Sequence, residues 1–385
     1  MIRALIGGKV LTMAGPVYDP GIVLIKDGII LAVGEHLAIP AEAEVYPVEG
    51  RVVMPGLIEA HSHIGICEEI YQEEGDDLNE FSDPITPHLR ALDAINPEDI
   101  AFRDAIRGGV TTVGTGPGSG NVIGGETVVL KTWGRTVDEM VFRQPAGLKV
   151  ALGENPKKCY GQKQKMPMTR MATAALLRQT LVAAQNYRDK LKHLSQKPDE
   201  VPERDLKLEA VLRALNQDVP VKVHAHRADD IMTALRIGEE FGLDMVIEHG
   251  TEAHKIVEEL LRRKVPVVVG PSLSSRSKVE LKDRTFKTPG ILARAGIKVA
   301  LMTDHPVIPI EYLSLCAALA VKEGMSETDA LKAVTINPAE ILGVSERVGS
   351  LAPGKDADLL ILSGSILDVR SRVEMVLVNG NLVWP

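Results

Sequence analysis

Cysteine is scarce in this chain: Cys67, Cys159 and Cys316 are the only three in 385 residues, far apart and in no CxxC spacing. That excludes a disulfide framework and a cysteine-built zinc knuckle, and it fits a reducing compartment. No apolar run approaches the roughly 20 residues of a membrane span. The segment from Met1 to Lys9 is too short and too interrupted for the h-region of a secretory signal. The expected location is therefore the cytoplasm, away from membranes. Basic excess is missing as well. The net charge is −8, and no basic stretch is available to meet a phosphate backbone, so no nucleic-acid partner is expected. The most basic region, Lys157 to Lys197, interleaves its charges with Gln, Met and Ala and reads as a solvated helical face. A glycine-rich stretch, Gly114 to Gly120, lacks the Gly-Lys-Ser/Thr ending of a phosphate-binding loop and reads as a tight loop over the mouth of the fold.

What is present is an ordinary globular composition, 45% hydrophobic and 25% charged, in a chain long enough for one large and one small domain. The two ends are alike. Residues 1–54 hold short β-type runs (Arg3–Ile6, Lys9–Thr12, Gly21–Ile25, Ile29–Val33) separated by Gly-Gly, Asp-Pro-Gly and Asp-Gly turn signals. Residues 348–385 repeat the style, with Asp358–Leu362, then Val373–Val378 turning at Asn379-Gly380 into Asn381–Trp384. Neither end can bury a core alone, which predicts one small β-sandwich assembled from both. The middle, residues 55–347, alternates apolar strands with amphipathic helices such as Pro97–Gly108, Ala228–Phe241 and Thr251–Lys264. Eight strand candidates predict a closed (β/α)8 TIM barrel of parallel strands, with catalytic groups at their C-terminal ends.

Candidate metal ligands fall at those ends. The first barrel strand finishes in His61-Ser62-His63, and side chains at i and i+2 of a strand share a face. The fifth ends at His224, with His226 at the same parity; the sixth ends at His249 and the eighth at Asp304. Any one of these alone reads as a satisfied interior histidine or, for Asp304, a helix N-cap. Together they read as a metal centre in which Asp304 is also the proton acceptor. His224 is taken as the fifth-strand ligand and His226 as a catalytic group that meets substrate or backs the ligands.

This series resembles the metal-dependent amidohydrolase superfamily, as do Thr335-Ile336-Asn337-Pro338-Ala339 and the run from Gly349 to Leu359. Within that superfamily the whole chain most resembles the imidazolonepropionase-related amidohydrolases. The resemblance implies one or two divalent metals, commonly zinc, and hydrolysis of an amide or other C–N bond of a small-molecule substrate by metal-activated water. A second metal needs a bridging carboxylate. Glu154, at the end of the fourth strand, is preferred over a carboxylated Lys149, which lies five residues earlier; a one-metal site that uses neither stays open. Superfamily deaminases carry a glutamate shortly after the fifth-strand histidine. Here the stretch is His226-Arg227-Ala228-Asp229-Asp230, which weakens a heterocycle-deaminase reading, although Asp229 could substitute. A non-catalytic binding barrel is a third reading, disfavoured by the complete ligand set. Arg227 and Arg276 are candidate substrate contacts, Arg227 by bidentate pairing with a carboxylate. The long Pro156–Pro202 connection is expected to form a lid or a homo-oligomer contact.

Overall fold

The computed structural model describes residues 2–70, 73–194 and 203–385. Their strands form two sheets. The first takes β1 (Ile2–Leu11), β2 (Val17–Lys26), β3 (Ile29–Gly34), β4 (Glu44–Pro47) and β5 (Val52–Pro55) from the N-terminal end. The second comprises β6 (Leu57–Ser62), β7 (Val110–Thr115), β8 (Ile123–Lys131), β9 (Val141–Ala151), β10 (Val221–Ala225), β11 (Met245–His249), β12 (Val267–Val269) and β13 (Val299–Leu301). The chain then returns to the first sheet with β14 (Leu359–Leu362), β15 (Val373–Val378) and β16 (Asn381–Trp384).

The chain ends join in a single hydrogen-bonded sheet of order β16-β15-β14-β5-β1-β2-β3, with β4 also paired to β1. The junction is the antiparallel pairing of β5 with β14, Val52 opposite Leu362 through Pro55 opposite Leu359. Two turn signals did not make turns. Gly7-Gly8 lies inside β1 and Asp19-Pro20-Gly21 inside β2, where the β1–β2 ladder absorbs the extra residues as register shifts around Gly8. The Asp27-Gly28 and Asn379-Gly380 signals do close hairpins, β2–β3 and β15–β16. Strand alternation sends β14 into two cores. Leu359 and Ile361 pack with Leu5, Val23 and Ile25, while Leu360 and Leu362 join the core beneath the second sheet with Met54 and Val376.

The second sheet runs β6 to β13 in sequence order. Its pairings are parallel except at β8, which is antiparallel to both β7 and β9. The expected eight parallel strands are thus seven parallel and one reversed. The reason is connection length. Only Gly116–Val122 links β7 to β8, and Thr132–Met140 links β8 to β9, whereas a parallel crossover takes a dozen residues or more. Helices do lie between the other strands, including Ile100–Arg107, Ala228–Phe241 and Val257–Arg263. The sheet nearly closes on itself at the β13–β6 seam. Here Glu59 of β6 accepts hydrogen bonds from the backbone N–H and the hydroxyl of Thr303, 2.8 and 2.7 Å, and His63 N–H donates to the His305 carbonyl at 2.9 Å. The long connection expected as a lid holds the helices Glu154–Gly161 and Arg170–Leu194; its last residues, 195–202, lie outside the described residues.

Because β8 is reversed, its last residue, Lys131, sits on the rim nearest the terminal sheet. Its buried ammonium pairs with Asp356 at 3.0 Å and Asp358 at 2.5 Å. Removing one member of a buried ion cluster leaves the rest uncompensated, at a cost of roughly 3–5 kcal/mol. Lys131→Met is expected to lower unfolding stability by that order. A denaturant-midpoint shift worth under about 1 kcal/mol would refute the clamp role.

Candidate functional site

The strand ends expected to carry ligands do converge. His61 and His63 leave β6 with ring centroids 5.0 Å apart, and His61 lies 5.4 Å from His249 of β11. His224, at the end of β10, is 4.1 Å from His249 and 4.8 Å from His226, the residue that follows the strand. Asp304, just past β13, places Oδ1 3.1 Å from His61 Nε2 and 3.4 Å from His63 Nε2. Two triads could each hold a metal ion, His61–His249–Asp304 and His224–His226–His249, with His249 common to both. His249 and Asp304 reach this point through left-handed backbone, φ 72° and 57°. Such a conformation costs a non-glycine residue about 1–2 kcal/mol, and here it turns both side chains toward the other ligands. The N-cap reading of Asp304 does not hold, since its carboxylate faces histidines and no helix begins at the next residue.

The partners of the ring nitrogens fix which face each imidazole presents. His63 Nδ1 is 2.7 Å from the Gly116 carbonyl and His249 Nδ1 is 3.1 Å from that of Gly270. A carbonyl only accepts, so these Nδ1 atoms carry the hydrogens and Nε2 keeps its lone pair. His61 Nδ1 is held in the same way by the Glu248 carboxylate at 3.0 Å, while His226 Nδ1 lies 2.7 Å from the Thr251 hydroxyl, which can donate or accept. This is the arrangement in which an outer partner orients a metal-binding histidine. Nε2 of His61, His226 and His249 and Oδ1 of Asp304 are buried without a hydrogen-bond partner. Imidazole faces from β6, β10 and β11 thus converge with the Asp304 carboxylate on one small volume, and these residues fit a divalent cation.

Electrostatics agree with that state. Burial holds His63, His224, His226 and His249 below their ordinary range, His226 at about 3, so they are neutral. Burial works against ionised Asp304, but His249, His61 and His63 outweigh it and hold its carboxyl well below the usual value. Burial also disfavours charge on His61; Glu248 and Asp304 overcome this and raise its pKa. A cavity of about 480 Å³ opens over these groups, its walls including Asn79, Phe81, Ser119, Asn155 and Lys278.

Three expected contributors are placed elsewhere. Glu154 does not join the imidazoles. It opens a short helix, and its carboxylate accepts from the backbone N–H of Glu280 at 3.3 Å. Arg227 closes on Asp229 at 2.8 Å at the surface. Arg276 donates to the carbonyls of Lys282 and Arg284 within its own loop. Lys149 is fully buried and ion-paired to Glu248, the same carboxylate that orients His61. Two carboxylates escaped sequence reasoning. Glu248 precedes His249 inside an apolar strand, where a lone carboxylate carries no ligand spacing of its own. Glu280 lies on the β12–β13 connection, where the only signal was the length of that loop.

The model of the Amidohydrolase family matches residues 167–383, more than half of the chain. The amidohydrolase tasK of Hapsidospora irregularis is 29% identical over 94% of this chain, which spans 39% of that relative's length. An imidazolonepropionase of Mesorhizobium japonicum is 26% identical, with 94% of this chain and 90% of the relative covered. The crystal structure of an amidohydrolase from Thermotoga maritima superposes with a TM-score of 0.97 at 45% identity, covering 99% of each chain.

Glu59, beneath His61, gives a pH prediction. Burial raises its pKa from the ordinary 4.5 to about 7. Between those values the folded chain holds a proton that the unfolded chain has released. Its contribution to stability is complete below the lower value and is lost as pH rises through the upper one. Glu59→Gln, which mimics the protonated acid, should remove that slope. Between pH 5 and 7 the wild type is expected to lose stability relative to the variant by up to about 1.4 kcal/mol per pH unit. Parallel stability–pH curves would rule this out.

Proposed function

Because the chain belongs to the amidohydrolase family and is thereby a hydrolase of carbon–nitrogen bonds, we propose that it cleaves a small cyclic amide, N-acyl or dipeptide-like compound. The divalent metal that serves this reaction, one ion or two, would be held by His61, His63, His249 and Asp304, with His224 and His226 alongside. The observation that carries the reading is the set of buried, unpartnered acceptor atoms turned on one another from β6, β10, β11 and the end of β13. Imidazoles with a carboxylate suit zinc. When bound, the metal supplies Lewis-acid polarisation of the scissile carbonyl and a lowered pKa for the attacking water.

The chain's own groups account for the rest. Asp304 is ionised and faces the cavity, so its carboxylate can take the proton as water adds to the carbonyl carbon. The same proton then goes to the departing nitrogen as the C–N bond breaks, giving a carboxylic acid and an amine. Glu248 holds His61 in one tautomer throughout, and the loop carbonyls of Gly116 and Gly270 do the same for His63 and His249. On this reading residues 55–347 carry the chemistry, and 1–54 with 348–385 form a supporting unit.

The test is a panel of N-acyl amino acids, cyclic amides and dipeptides, assayed for release of amine and carboxylate. Chelation should abolish turnover and added zinc should restore it; chelator-insensitive hydrolysis would reject the metal role. Asp304→Asn is expected to lower kcat/KM by at least about 10³-fold while the protein keeps its zinc; turnover within tenfold of wild type would remove Asp304 from proton transfer. Ammonia release from adenine or a related heterocycle, with the amide panel inert, would replace amide hydrolysis by deamination.

A further inference from the structure

Glu280 stands outside every strand end, yet it is 1% exposed. It lies in the short turn Val279–Leu281 on the connection from β12 to β13. Its Oε1 is 3.8 Å from His224 Nε2 and 3.7 Å from His226 Nε2. His224 Nε2 receives the Asn155 amide at 3.4 Å, so it too presents a lone pair. His224 Nε2, His226 Nε2 and Glu280 Oε1 thus converge, and His226 Nε2 is buried with no hydrogen-bond partner among the described residues. A buried carboxylate needs compensation, and the partly exposed Lys278 supplies it, with Nζ 2.8 Å from Oε1.

The carboxylate is held in place from behind. Its Oε2 accepts from the Glu154 backbone N–H at 3.1 Å. That approach depends on Gly153, where φ is +88° and an added Cβ would come within 2.8 Å of the same oxygen. Glu154 returns the contact by accepting from Glu280 N–H. The end of β9 and the β12–β13 connection are thus tied together so that Oε1 is turned toward the histidines.

Resting on the metal-hydrolase reading above, we propose that Glu280 is the carboxylate ligand of a second divalent-cation site, with His224, His226 and His249 as its imidazole ligands. Glu280 takes the part that the sequence suggested for Glu154, and Glu154 becomes its positioning residue. Lys278 is the counter-ion that competes with the metal for Oε1.

Zinc bound per chain, after equilibration with zinc and removal of excess, tests this without any substrate. The wild type is expected to hold two equivalents, Glu280→Gln one and Glu154→Gln two, since Gln at 154 can still accept from Glu280 N–H. Lys278→Met, a change on a partly exposed side chain, is expected to lower the Kd of the weaker zinc site at least about tenfold in a chelator competition. This variant decides the matter even if Glu280→Gln fails to fold. A single equivalent in the wild type, two in Glu280→Gln, or an unchanged or weaker Kd in Lys278→Met would overturn the Glu280 site alone. No zinc in the wild type would instead overturn the metal reading on which it rests.

Discussion

The whole site depends on the crowding of five imidazoles and a carboxylate into one buried mouth. Asp304 Oδ1 faces His63 Nε2 across 3.4 Å, where both atoms offer a lone pair, and it also meets His61 Nε2 at 3.1 Å, the one imidazole here whose pKa is raised. In water such contacts would be screened; in a buried barrel mouth they are not. A proton on His61 answers only one of them, because burial keeps the other four imidazoles neutral. A cation at the centre removes the conflict at once. The arrangement is intelligible as a folded-state penalty that ligand binding relieves, and binding free energy of this kind adds to the stability of the native chain.

The rest of the mouth keeps that conflict from relaxing. An imidazole free to rotate would find a better partner, and His61, His63 and His249 are each fixed from behind by an oxygen that only accepts. The Lys149–Glu248–His61 series shows how far this support extends. A buried lysine stabilises a carboxylate, which in turn fixes the hydrogen on His61 Nδ1. Burial works against the charged form of Glu248, but His61 and Lys149 hold its pKa well below the usual range. The left-handed residues His249 and Asp304 add strain of about 1–2 kcal/mol each. Backbone strain of this order persists where surrounding structure over-determines it, and function is the common reason.

Much of this was legible in the sequence because side chains at the ends of barrel strands obey strand parity. His61, His63, His224, His249 and Asp304 were each found at the end of an apolar run, and the fold brings them together. The hairpins at Asp27-Gly28 and Asn379-Gly380 were equally legible, since those pairs suit tight reversals. Gly7-Gly8 misled because glycine serves a bulge as readily as a turn. The direction of β8 was open to inference from connection length, which apolar runs alone do not carry. Glu280, Lys278 and Asn155 had no periodic signal, because they sit on loops and owe their positions to tertiary packing.

The reversed strand also explains why the expected imidazoles and Asp304 still gather although one strand runs the other way. In a barrel of this kind, groups at the C-terminal ends of parallel strands gather at one rim. Reversal of β8 sends its C-terminal end to the other rim, where Lys131 meets Asp356 and Asp358 beside the terminal sheet. The third strand of the barrel therefore has no C-terminal end at the mouth from which to offer a ligand. The space above it is filled by the loop Gly116–Val122, whose first carbonyl fixes His63 and whose Ser119 hydroxyl accepts from Asn155 at 2.7 Å. A strand that cannot supply a metal-binding side chain thus still shapes the site, through the backbone and side chains of the short connection that its reversal requires.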